Sequence, residues 1–579
     1  MSDTATAPSA ASDPTPATPD RQQILHSLTQ SGPFELTIDE SAGYPLRVYK
    51  HAPPSLRAVL EATAAQGDKP FLVYGDEVIS YAEHLRRVGA LARHLLAHGV
   101  RKGDRVAIGM RNYPEWSVGF WACQAIGAVV VALNAWWITA ELEFALEDSQ
   151  PSAFIVDGER LERLRSLIKG VREETLVVVR RGDAGPGGID LTEILGGDGG
   201  LPDADIGPTD LATILYTSGT TGKPKGAMAT HRNHLTNLTN GLLSGALARV
   251  MMGLPADAQP DPAAPQPGML QTFPLFHIGG LSGLLACTAM GTRMALMYKW
   301  SPAEAIQLVQ DHRLSSVAGV PIVVRQLLEA AAASGATLDS LLGISSGGAP
   351  VPPDLIRTIG SQFQARTAAG NGYGLTETTS AVIVNGGADY FARPDSVGRP
   401  VVCAEIRVVD DDGRDLPGGQ IGELWVRGPN VIPGYWGNPE ATEAAFGGGW
   451  FRTGDLGYVD PEGFYYVVDR KKDVIIRGGE NVYCAEVEAA LLEHPRVRDA
   501  AVIGLPHPEY GEEVAAVIRI DPEDSGQDLA DDLRTALADK LARFKIPSAI
   551  RTTSEELPRT ATGKVLKQQL RLAFAEARA

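Results

Sequence analysis

The segment with the clearest chemical potential is a loop rich in Gly, Ser, Thr and Lys that follows a short apolar stretch. The apolar residues Leu211–Leu215 run directly into residues 216–226, which read YTSGTTGKPKG. Inward-turned glycine N–H groups and hydroxyls form a nest for anions, and Lys223 and Lys225 add positive charge. This combination predicts a polyphosphate-binding loop.

The spacing in this loop excludes two common nucleotide-binding motifs. A Walker A loop needs a second Gly five residues after the first and a Ser or Thr after the Lys. Here Pro224 stands five residues after Gly219 and also follows Lys223. The glycines within residues 370–374 do not match the dinucleotide fingerprint either. Neither a P-loop NTPase nor a nicotinamide enzyme is therefore predicted.

Four further residues could do chemistry, but each has an ordinary structural alternative. Glu377 could bind a metal ion or only stabilise the start of a helix. Asp455 follows a Thr-Gly turn, where its carboxylate could accept both ribose hydroxyls or only cap the turn. Tyr373 could stack on a base or pack in a core, and His277 could line a pocket or have a structural role. Taken singly, these residues leave both alternatives open.

Taken together and in order, the motifs resemble those of the adenylate-forming superfamily, which includes acyl- and aryl-CoA synthetases, nonribosomal peptide adenylation domains and firefly luciferase. The matching segments are YTSGTTGKPKG at 216–226, NGYGLTET at 371–378, WFRTGD at 450–455, DRKKDVII at 469–476 with GGEN at 478–481, and LPRTATGK at 557–564. The resemblance covers roughly residues 50–570. It is strongest to fatty-acid–CoA ligases, through PLFHIGG at 274–280 and GGAP at 347–350.

The resemblance implies a site for ATP and AMP. Its residues would be Thr217, Ser218, Gly219, Thr220, Thr221, Gly222, Lys223, Lys225, Gly348, Ala349, Pro350, Asn371, Gly372, Tyr373, Gly374, Thr376, Asp455 and Arg470. It further implies that Mg²⁺ is held by Glu377 and Thr217, and that catalysis depends on Lys564, Thr376 and Glu377. Activating a carboxylate with ATP joins two anions and releases diphosphate, so a metal ion and fixed cations suit this chemistry.

The resemblance also implies sites for the acid and for coenzyme A. The acid pocket would include His277, Gly280, Gly347 and Gly372. Lys472 would be a hinge between two domains, and CoA would meet Gly478, Gly479 and Glu480. The expected activity is that of an ATP- and Mg²⁺-dependent acyl-CoA synthetase that works through acyl-AMP. The small residues of the pocket favour a medium- or long-chain fatty acid.

Several alternatives within the superfamily remain open. The substrate could be an aryl, cinnamate-type or sterol side-chain acid. The acceptor could be a carrier protein instead of free CoA, or the enzyme could be a luciferase-like oxidase.

These residues need a scaffold that holds them, and the pattern predicts an α/β fold. Apolar strands such as Arg105–Gly109 alternate with amphipathic helices, one of which starts at the capping sequence Ser80–Glu83. We expect a variable, disordered tail at 1–40 and a large domain of layered α/β subdomains plus a β-rich module at 41–471. A disordered insertion is expected at 255–267 of that domain. A hinge at 472 and a small, mobile α+β domain at 473–579 would follow.

The composition of the chain limits the classes of partner that it is expected to bind. The chain has 579 residues and a formal net charge of −18, which disfavours binding to nucleic acid. Its four cysteines lie far apart in the sequence. Its apolar stretches are interrupted by polar residues, so no transmembrane segment is predicted. We expect a cytoplasmic protein whose partners are a small carboxylic acid, ATP and CoA; whether it forms a homodimer is left open.

Overall fold

The computed structural model describes residues 21–183, 185–197, 199–217, 224–258, 264–349, 351–363, 368–524, 528–560 and 563–576. The α-helices are α1 Arg21–Gln30, α2 Leu56–Ala62, α3 Tyr81–Ala97, α4 Pro114–Ile126, α5 Thr139–Ser149, α6 Gly158–Leu164, α7 Leu191–Ile194, α8 His231–Met251, α9 Ile278–Met290, α10 Pro302–Asp311, α11 Pro321–Ser334, α12 Pro353–Phe363, α13 Ala388–Ala392, α14 Pro439–Ala445, α15 Cys484–Leu492, α16 Leu529–Ala538 and α17 Lys567–Glu576.

Strands of the first part of the chain are β1 Leu36–Asp39, β2 Leu46–Tyr49, β3 Pro70–Tyr74, β4 Glu77–Ser80, β5 Arg105–Gly109, β6 Val129–Ala132, β7 Ala153–Asp157, β8 Leu176–Val179, β9 Ile189–Asp190, β10 Leu211–Thr217, β11 Lys225–Thr230, β12 Gly268–Gln271, β13 Arg293–Leu296, β14 Ser316–Gly319, β15 Gly343–Gly347, β16 Ala368–Leu375, β17 Ser380–Gly386 and β18 Arg399–Pro400. Strands of the remainder are β19 Glu405–Val409, β20 Gly422–Arg427, β21 Gly434–Tyr435, β22 Phe446–Gly447, β23 Trp450–Val459, β24 Tyr465–Arg470, β25 Ile475–Arg477, β26 Glu480–Val482, β27 Asp499–His507, β28 Gly511–Arg519 and β29 Ala549–Thr553.

The predicted α/β class is confirmed, with a large N-terminal domain and a smaller C-terminal domain. Two large sheets of the first domain run in the orders β21-β11-β10-β6-β5-β7-β8-β9 and β18-β17-β16-β15-β14-β12-β13-β3-β4. A smaller antiparallel sheet, β19-β20-β23-β22 with β24 beside β23, matches the predicted β-rich module. The C-terminal domain is built on β26-β25-β28-β27, with β29 beside β28.

Local sequence signals explain how the core helices start. The Ser80 hydroxyl accepts the N–H of Glu83 and caps α3, as the sequence predicts. The buried face of α3, which includes Val88, Leu91 and Leu95, packs in the main core of the large domain.

In the part of the chain that the structure describes, no helix is long and apolar enough to cross a bilayer.

Two expectations about disorder were wrong in part. Residues 21–39 of the expected tail form α1 and β1, and Leu25 and Leu28 pack with the buried Leu243 and Cys403. Within the expected insertion at 255–267, Gln266 Nε2 donates to the carbonyls of Pro70 and Gly291 at 2.8 and 2.9 Å. Composition suggested a loop there, but these hydrogen bonds tie its end to the domain. Residues 1–20 and 259–263 lie outside the described residues.

Candidate active site

The predicted phosphate loop is the connection of a β-hairpin. Strands β10 and β11 are antiparallel, and their last pair, Thr217 with Lys225, closes the loop at its base. Gly226 lies so close to β10 that a Cβ there would be 2.9 Å from Ile214 Cγ2. Ser218, Gly219, Thr220, Thr221, Gly222 and Lys223 lie outside the described residues, as does Pro350.

The expected metal ligand Glu377 lies beside this hairpin. It follows β16 in a short 3₁₀ turn, Thr376–Thr378, and its side chain is almost fully buried. Its Oε1 accepts a hydrogen bond from the Tyr435 hydroxyl at 2.9 Å. Tyr435 belongs to β21, which pairs with β11, and Lys225 Nζ lies 5.0 Å from the centre of the Tyr435 ring. Tyr435 thus links Glu377 to the β10–β11 hairpin, which we call the phosphate hairpin.

The expected ribose-binding residues form a compact hydrogen-bonded group. Asp455 and Arg470 are paired across β23 and β24, and Arg470 Nε lies 3.0 Å from Asp455 Oδ1. The Tyr373 hydroxyl donates to the other carboxylate oxygen at 2.7 Å. Burial and the Asp455 charge raise the pKa of Tyr373 well above its usual value, so the hydroxyl stays a donor. Both oxygens of the Asp455 carboxylate are therefore held in place.

The remaining expected nucleotide residues lie on neighbouring elements. Strand β16 carries Asn371, Gly372, Tyr373 and Gly374. Gly348 and Ala349 directly follow the adjacent strand β15, with Gly348 at φ +77°. The carboxyl ends of two adjacent parallel strands thus border the ribose group, a position where open α/β sheets bind ligands.

Lys564 enters this site from the small domain. It closes a tight turn, in which the Thr560 N–H donates to the Lys564 carbonyl at 2.8 Å. Lys564 has exposed surface, but protein atoms surround much of its side chain. This burial and the charge of Arg470 lower the pKa of Lys564, while Asp455 and Glu377 oppose the shift. The charges of Arg470, Asp455 and Glu377 thus act on the Lys564 ammonium group, which lies near these expected nucleotide-binding residues.

One wall of a corridor inside the large domain consists of small residues on β15 and β16. Gly347 is paired with Gly372, and Ser345 with Gly370. These residues are accessible, whereas the alternate residues of β15 are buried. Gly347 and Gly372 are so close that a Cβ on Gly347 would lie 3.0 Å from the Gly372 carbonyl oxygen. The accessible face therefore begins beside the nucleotide site and continues along the strands.

Helix α9 covers the same face of the sheet. Gln271 of β12 is in register with Ala318 of β14, which is in register with Ser345, so the three side chains point to one face. Gln271 Nε2 donates to the carbonyl of Gly280 on α9 at 3.0 Å, and a Cβ on Gly283 would lie 2.9 Å from Gln271 Oε1. Helix α9 therefore packs on the face of the sheet that carries the accessible residues of β15 and β16.

His277 precedes α9 and caps it. Its Nδ1 accepts the N–H of Gly279 at 3.1 Å, and burial, aided by the Lys564 charge, lowers its pKa to about 3. A neutral imidazole ring whose Nδ1 already accepts a hydrogen bond can line a pocket, but it is not suited to proton transfer near neutral pH. Gly280 is explained by packing, because a Cβ there would lie 2.1 Å from the Pro274 carbonyl oxygen.

The expected CoA residues lie apart from this cluster. Gly478 and Gly479 form the turn between β25 and β26, with φ of +61° and +88°, and are exposed together with Glu480. Lys472 is also exposed, between β24 and β25. No hydrogen bond or ion pair among the described residues joins these four to the ribose group.

A cavity of about 370 Å³ separates the two domains near Lys564. Phe273 and Val320 of the large domain line it, and Gly563 of the Lys564 turn faces them from the small domain. A Cβ on Gly563 would lie 2.9 Å from Val320 Cγ2, so the turn approaches the large domain closely.

Sequence reasoning missed Tyr435 and Asp469. Tyr435 lies in the segment GYWGN and has no chemical signal of its own; only the pairing of β21 with β11 brings it to Glu377. Asp469 lies within a recognised motif, but its hydrogen bond to the N–H of Cys484 depends on how the small domain docks.

The comparisons with known proteins agree with this geometry. The family model of the AMP-binding enzymes matches residues 59–436, and that of the AMP-binding enzyme C-terminal domain matches 486–564. A feruloyl-CoA synthase of Amycolatopsis sp is 38% identical, covering 86% of this chain and 95% of that protein.

Solved structures show the same architecture. An o-succinylbenzoate coenzyme A synthetase from Bacillus subtilis, in complex with ATP and a magnesium ion, aligns with a TM-score of 0.73 and 31% identity, covering 90% of this chain and 99% of that one. An anthranilate CoA ligase in complex with anthranoyl-AMP aligns with a TM-score of 0.81 and 26% identity, covering 93% and 99%. These relatives do not support the expected preference for medium- or long-chain fatty acids. The chain is an AMP-forming acid–thiol ligase of the AMP-binding enzyme family, and so a member of the adenylate-forming superfamily.

Proposed function

We propose that the protein is an ATP-dependent acyl-CoA synthetase for aromatic carboxylic acids. In the first step the acid carboxylate attacks the α-phosphorus of ATP and diphosphate leaves, which gives an acyl-AMP. In the second step the CoA thiolate attacks the acyl carbon and AMP leaves. The observation that carries the proposal is the convergence of Lys564 with Glu377 and the Asp455–Arg470 pair.

The residues of the site suit the first step. The Asp455 carboxylate, oriented by Tyr373 and Arg470, is a fixed acceptor for ribose hydroxyls. An ammonium group at Lys564 neutralises the carboxylate and α-phosphate as they approach, and it stabilises the charge that builds up in the transition state. Since both reactants are anions, a fixed cation between them is what the reaction most needs.

The donor set also fits Mg²⁺. Glu377 offers a carboxylate and Thr217 a hydroxyl, and hard oxygen ligands of this kind are those that Mg²⁺ prefers. Tyr435 binds Oε1 of Glu377, which orients the carboxylate. We assign Glu377 and Thr217 to hold the ion, which would supply positive charge to the phosphates.

The aromatic class rests on the relatives and on the corridor. A feruloyl-CoA synthase and an anthranilate CoA ligase are both named for aromatic acids. The sheet side of the corridor is lined by glycines and Ser345, whose small side chains leave room for a planar ring.

One observation favours a medium- or long-chain alkanoate as a second candidate. The accessible positions of β15 and β16 continue past Ser345 to Gly343 and Ala368. At about 3.3 Å per residue, the four steps from Gly347 to Gly343 span roughly 13 Å, which would accommodate an extended chain.

A panel assay tests the proposal. Diphosphate release should require ATP, Mg²⁺ and an acid, and kcat/KM for benzoates and cinnamates should exceed that for C2–C18 alkanoates. AMP release on addition of CoA should then yield the thioester. Faster turnover of alkanoates would favour the second candidate, transfer only to a carrier protein would change the acceptor, and oxygen uptake would indicate an oxidase.

We further propose the domain organisation, the hinge, the cellular location and the oligomeric state. The domain limits at 41–471 and 473–579 and the hinge at Lys472 follow the family pattern, and limited proteolysis would test them. A cytoplasmic location and a homodimer would be tested by cell fractionation and size-exclusion chromatography.

A further inference from the structure

Asp469 and Arg470 are neighbours at the end of β24 that contact different parts of the molecule. Arg470 pairs with Asp455 in the nucleotide site. The Asp469 carboxylate instead accepts the backbone N–H of Cys484 at 2.5 Å, and Cys484 is the first residue of α15 in the small domain. A carboxylate at the start of a helix satisfies an unpaired N–H and interacts favourably with the helix dipole.

The small domain also presents a cation to Asp469. Burial raises the pKa of Asp469, and the nearby Lys567 opposes that rise. Lys567 itself pairs with Glu488 of α15, with Nζ 2.8 Å from Oε1. The charge of Asp473 adds to the rise in the pKa of Asp469, and Asp473 lies 3.8 Å from Arg571 of α17. Asp469 is therefore bound directly by α15, and the Glu488–Lys567 ion pair links α15 to α17.

Lys567, which α15 holds through Glu488, is close in sequence to the turn that carries Lys564. Lys567 is the first residue of α17 and stands three residues after Lys564. The Leu566 N–H donates to the Pro558 carbonyl at 2.8 Å, which fixes the base of the turn that carries Lys564. Docking of α15 on Asp469 therefore also positions α17 and the turn before it, which carries Lys564.

We propose that Asp469 is a positioning residue for acid activation: its carboxylate docks the small domain so that Lys564 reaches the nucleotide site. The proposal rests on the proposed function. It differs from a purely structural role because its effect must pass through Lys564 and must be confined to the step that uses Lys564.

The test compares the two half-reactions in Asp469→Ala, Asp469→Asn, Lys564→Ala and the double variant Asp469→Ala/Lys564→Ala. Acid-dependent ATP–diphosphate exchange in Asp469→Ala should fall about 10- to 100-fold, the loss expected for one charge-assisted hydrogen bond. Conversion of pre-made acyl-AMP and CoA should stay within about threefold of wild type. Asn keeps an acceptor for the Cys484 N–H, so Asp469→Asn should lose less.

The double variant decides whether the effect passes through Lys564. Its exchange rate should be within about threefold of that of Lys564→Ala, because a lysine that is absent cannot be misplaced. Asp521→Asn, which removes an exposed partner of Arg498 at 2.7 Å in the same domain, should change neither half-reaction.

Three outcomes would overturn the inference: wild-type exchange in Asp469→Ala, equal losses in both half-reactions, or additive losses in the double variant. A variant that fails to fold would lose both half-reactions and so counts among these. Failure of the wild-type enzyme to form any acyl-AMP would instead reject the proposed function.

Discussion

Lys564 is the residue on which acid activation should depend most. We expect Lys564→Ala to lower acid-dependent ATP–diphosphate exchange about 100- to 1000-fold, the usual effect of removing one group that stabilises transition-state charge. Conversion of pre-made acyl-AMP and CoA to acyl-CoA should remain near the wild-type rate. Lys540→Ala, which removes an exposed ion pair with Glu493 at 2.7 Å, is the matched control. Normal exchange in Lys564→Ala would remove the catalytic role.

The same residue predicts a limit at alkaline pH. Burial and Arg470 lower the pKa of Lys564, so its charge is lost as the pH rises through a value below the usual 10.5. Since the charged form is the active one, kcat/KM for diphosphate release should fall on the alkaline side before pH 10.5. A profile measured from pH 7 to 10.5 checks this, and the residual activity of Lys564→Ala should lack that fall.

Glu377 should determine the metal requirement. Glu377→Gln removes a charge from the expected Mg²⁺ site, so we expect a lower rate and a higher Mg²⁺ concentration for half-maximal diphosphate release. Tyr435→Phe removes only the hydroxyl that binds Glu377 Oε1 and should shift that concentration by less than about threefold. An unchanged Mg²⁺ dependence in Glu377→Gln would exclude it as a ligand.

At the residue scale, the sequence predicts the chemical role of a residue better than it predicts its hydrogen-bond partners. The motif around Asp455 predicts a ribose acceptor, and the strand pairing places Arg470 beside it. Nothing local predicts that the Tyr373 hydroxyl, 82 residues away, donates to the same carboxylate. Gly280 shows the converse: a glycine expected in the pocket is explained by its close approach to Pro274.

Among the elements, those with strong local signals were predicted and those held by distant contacts were not. The α3 helix has a capping sequence and an apolar face, and the structure confirms both. The α1 helix has no buried residue of its own and packs on residues more than 200 positions away, such as Leu243. Only tertiary packing could reveal that residues 21–39 are ordered.

Helices α3 and α8 contain histidines that should make the protein sensitive to acid. His84 of α3 is fully buried with Nε2 2.9 Å from the Ser117 hydroxyl, and burial lowers its pKa from 6.5 to about 3. Between these values the unfolded chain binds more protons than the folded one. The free energy of unfolding therefore falls as the pH falls, by about 1.4 kcal/mol per pH unit for each such histidine.

The variant His84→Gln should flatten this dependence. We expect the difference in the free energy of unfolding between pH 6 and pH 4, measured by urea denaturation, to shrink by roughly 2–3 kcal/mol. His234 of α8, whose pKa burial also lowers to about 3, would keep its own contribution. An unchanged difference would mean that His84 does not titrate as its burial implies.

At the scale of the whole molecule, we expect a substitution in the small domain that slows the second half-reaction but spares the first. Gly479 lies in the exposed turn that the family pattern assigns to CoA. Gly479→Leu should slow conversion of acyl-AMP to acyl-CoA at least tenfold, because a bulky side chain would obstruct the pantetheine arm. Exchange of ATP with diphosphate should stay within about threefold.

The control for that prediction is a second glycine with matching geometry. Gly479 has φ +88° and Gly463, in the turn between β23 and β24, has φ +81°; an added Cβ would meet nothing within 4 Å at either. Gly463→Leu therefore imposes the same kind of backbone strain in a turn that is not among the expected CoA residues. Equal effects of both variants on acyl-CoA formation would refute the CoA assignment.

The position of Lys564 along the chain has a consequence for protein synthesis. The phosphate hairpin and the Asp455–Arg470 pair are complete once residue 470 has been made, 94 residues before Lys564. At about 5–20 residues per second, a ribosome needs roughly 5–20 s to cover that distance. During this interval the nascent chain contains the residues proposed to bind the nucleotide but lacks the cation proposed to activate the acid. A growing chain is therefore expected to lack acid activation until Lys564 has been added.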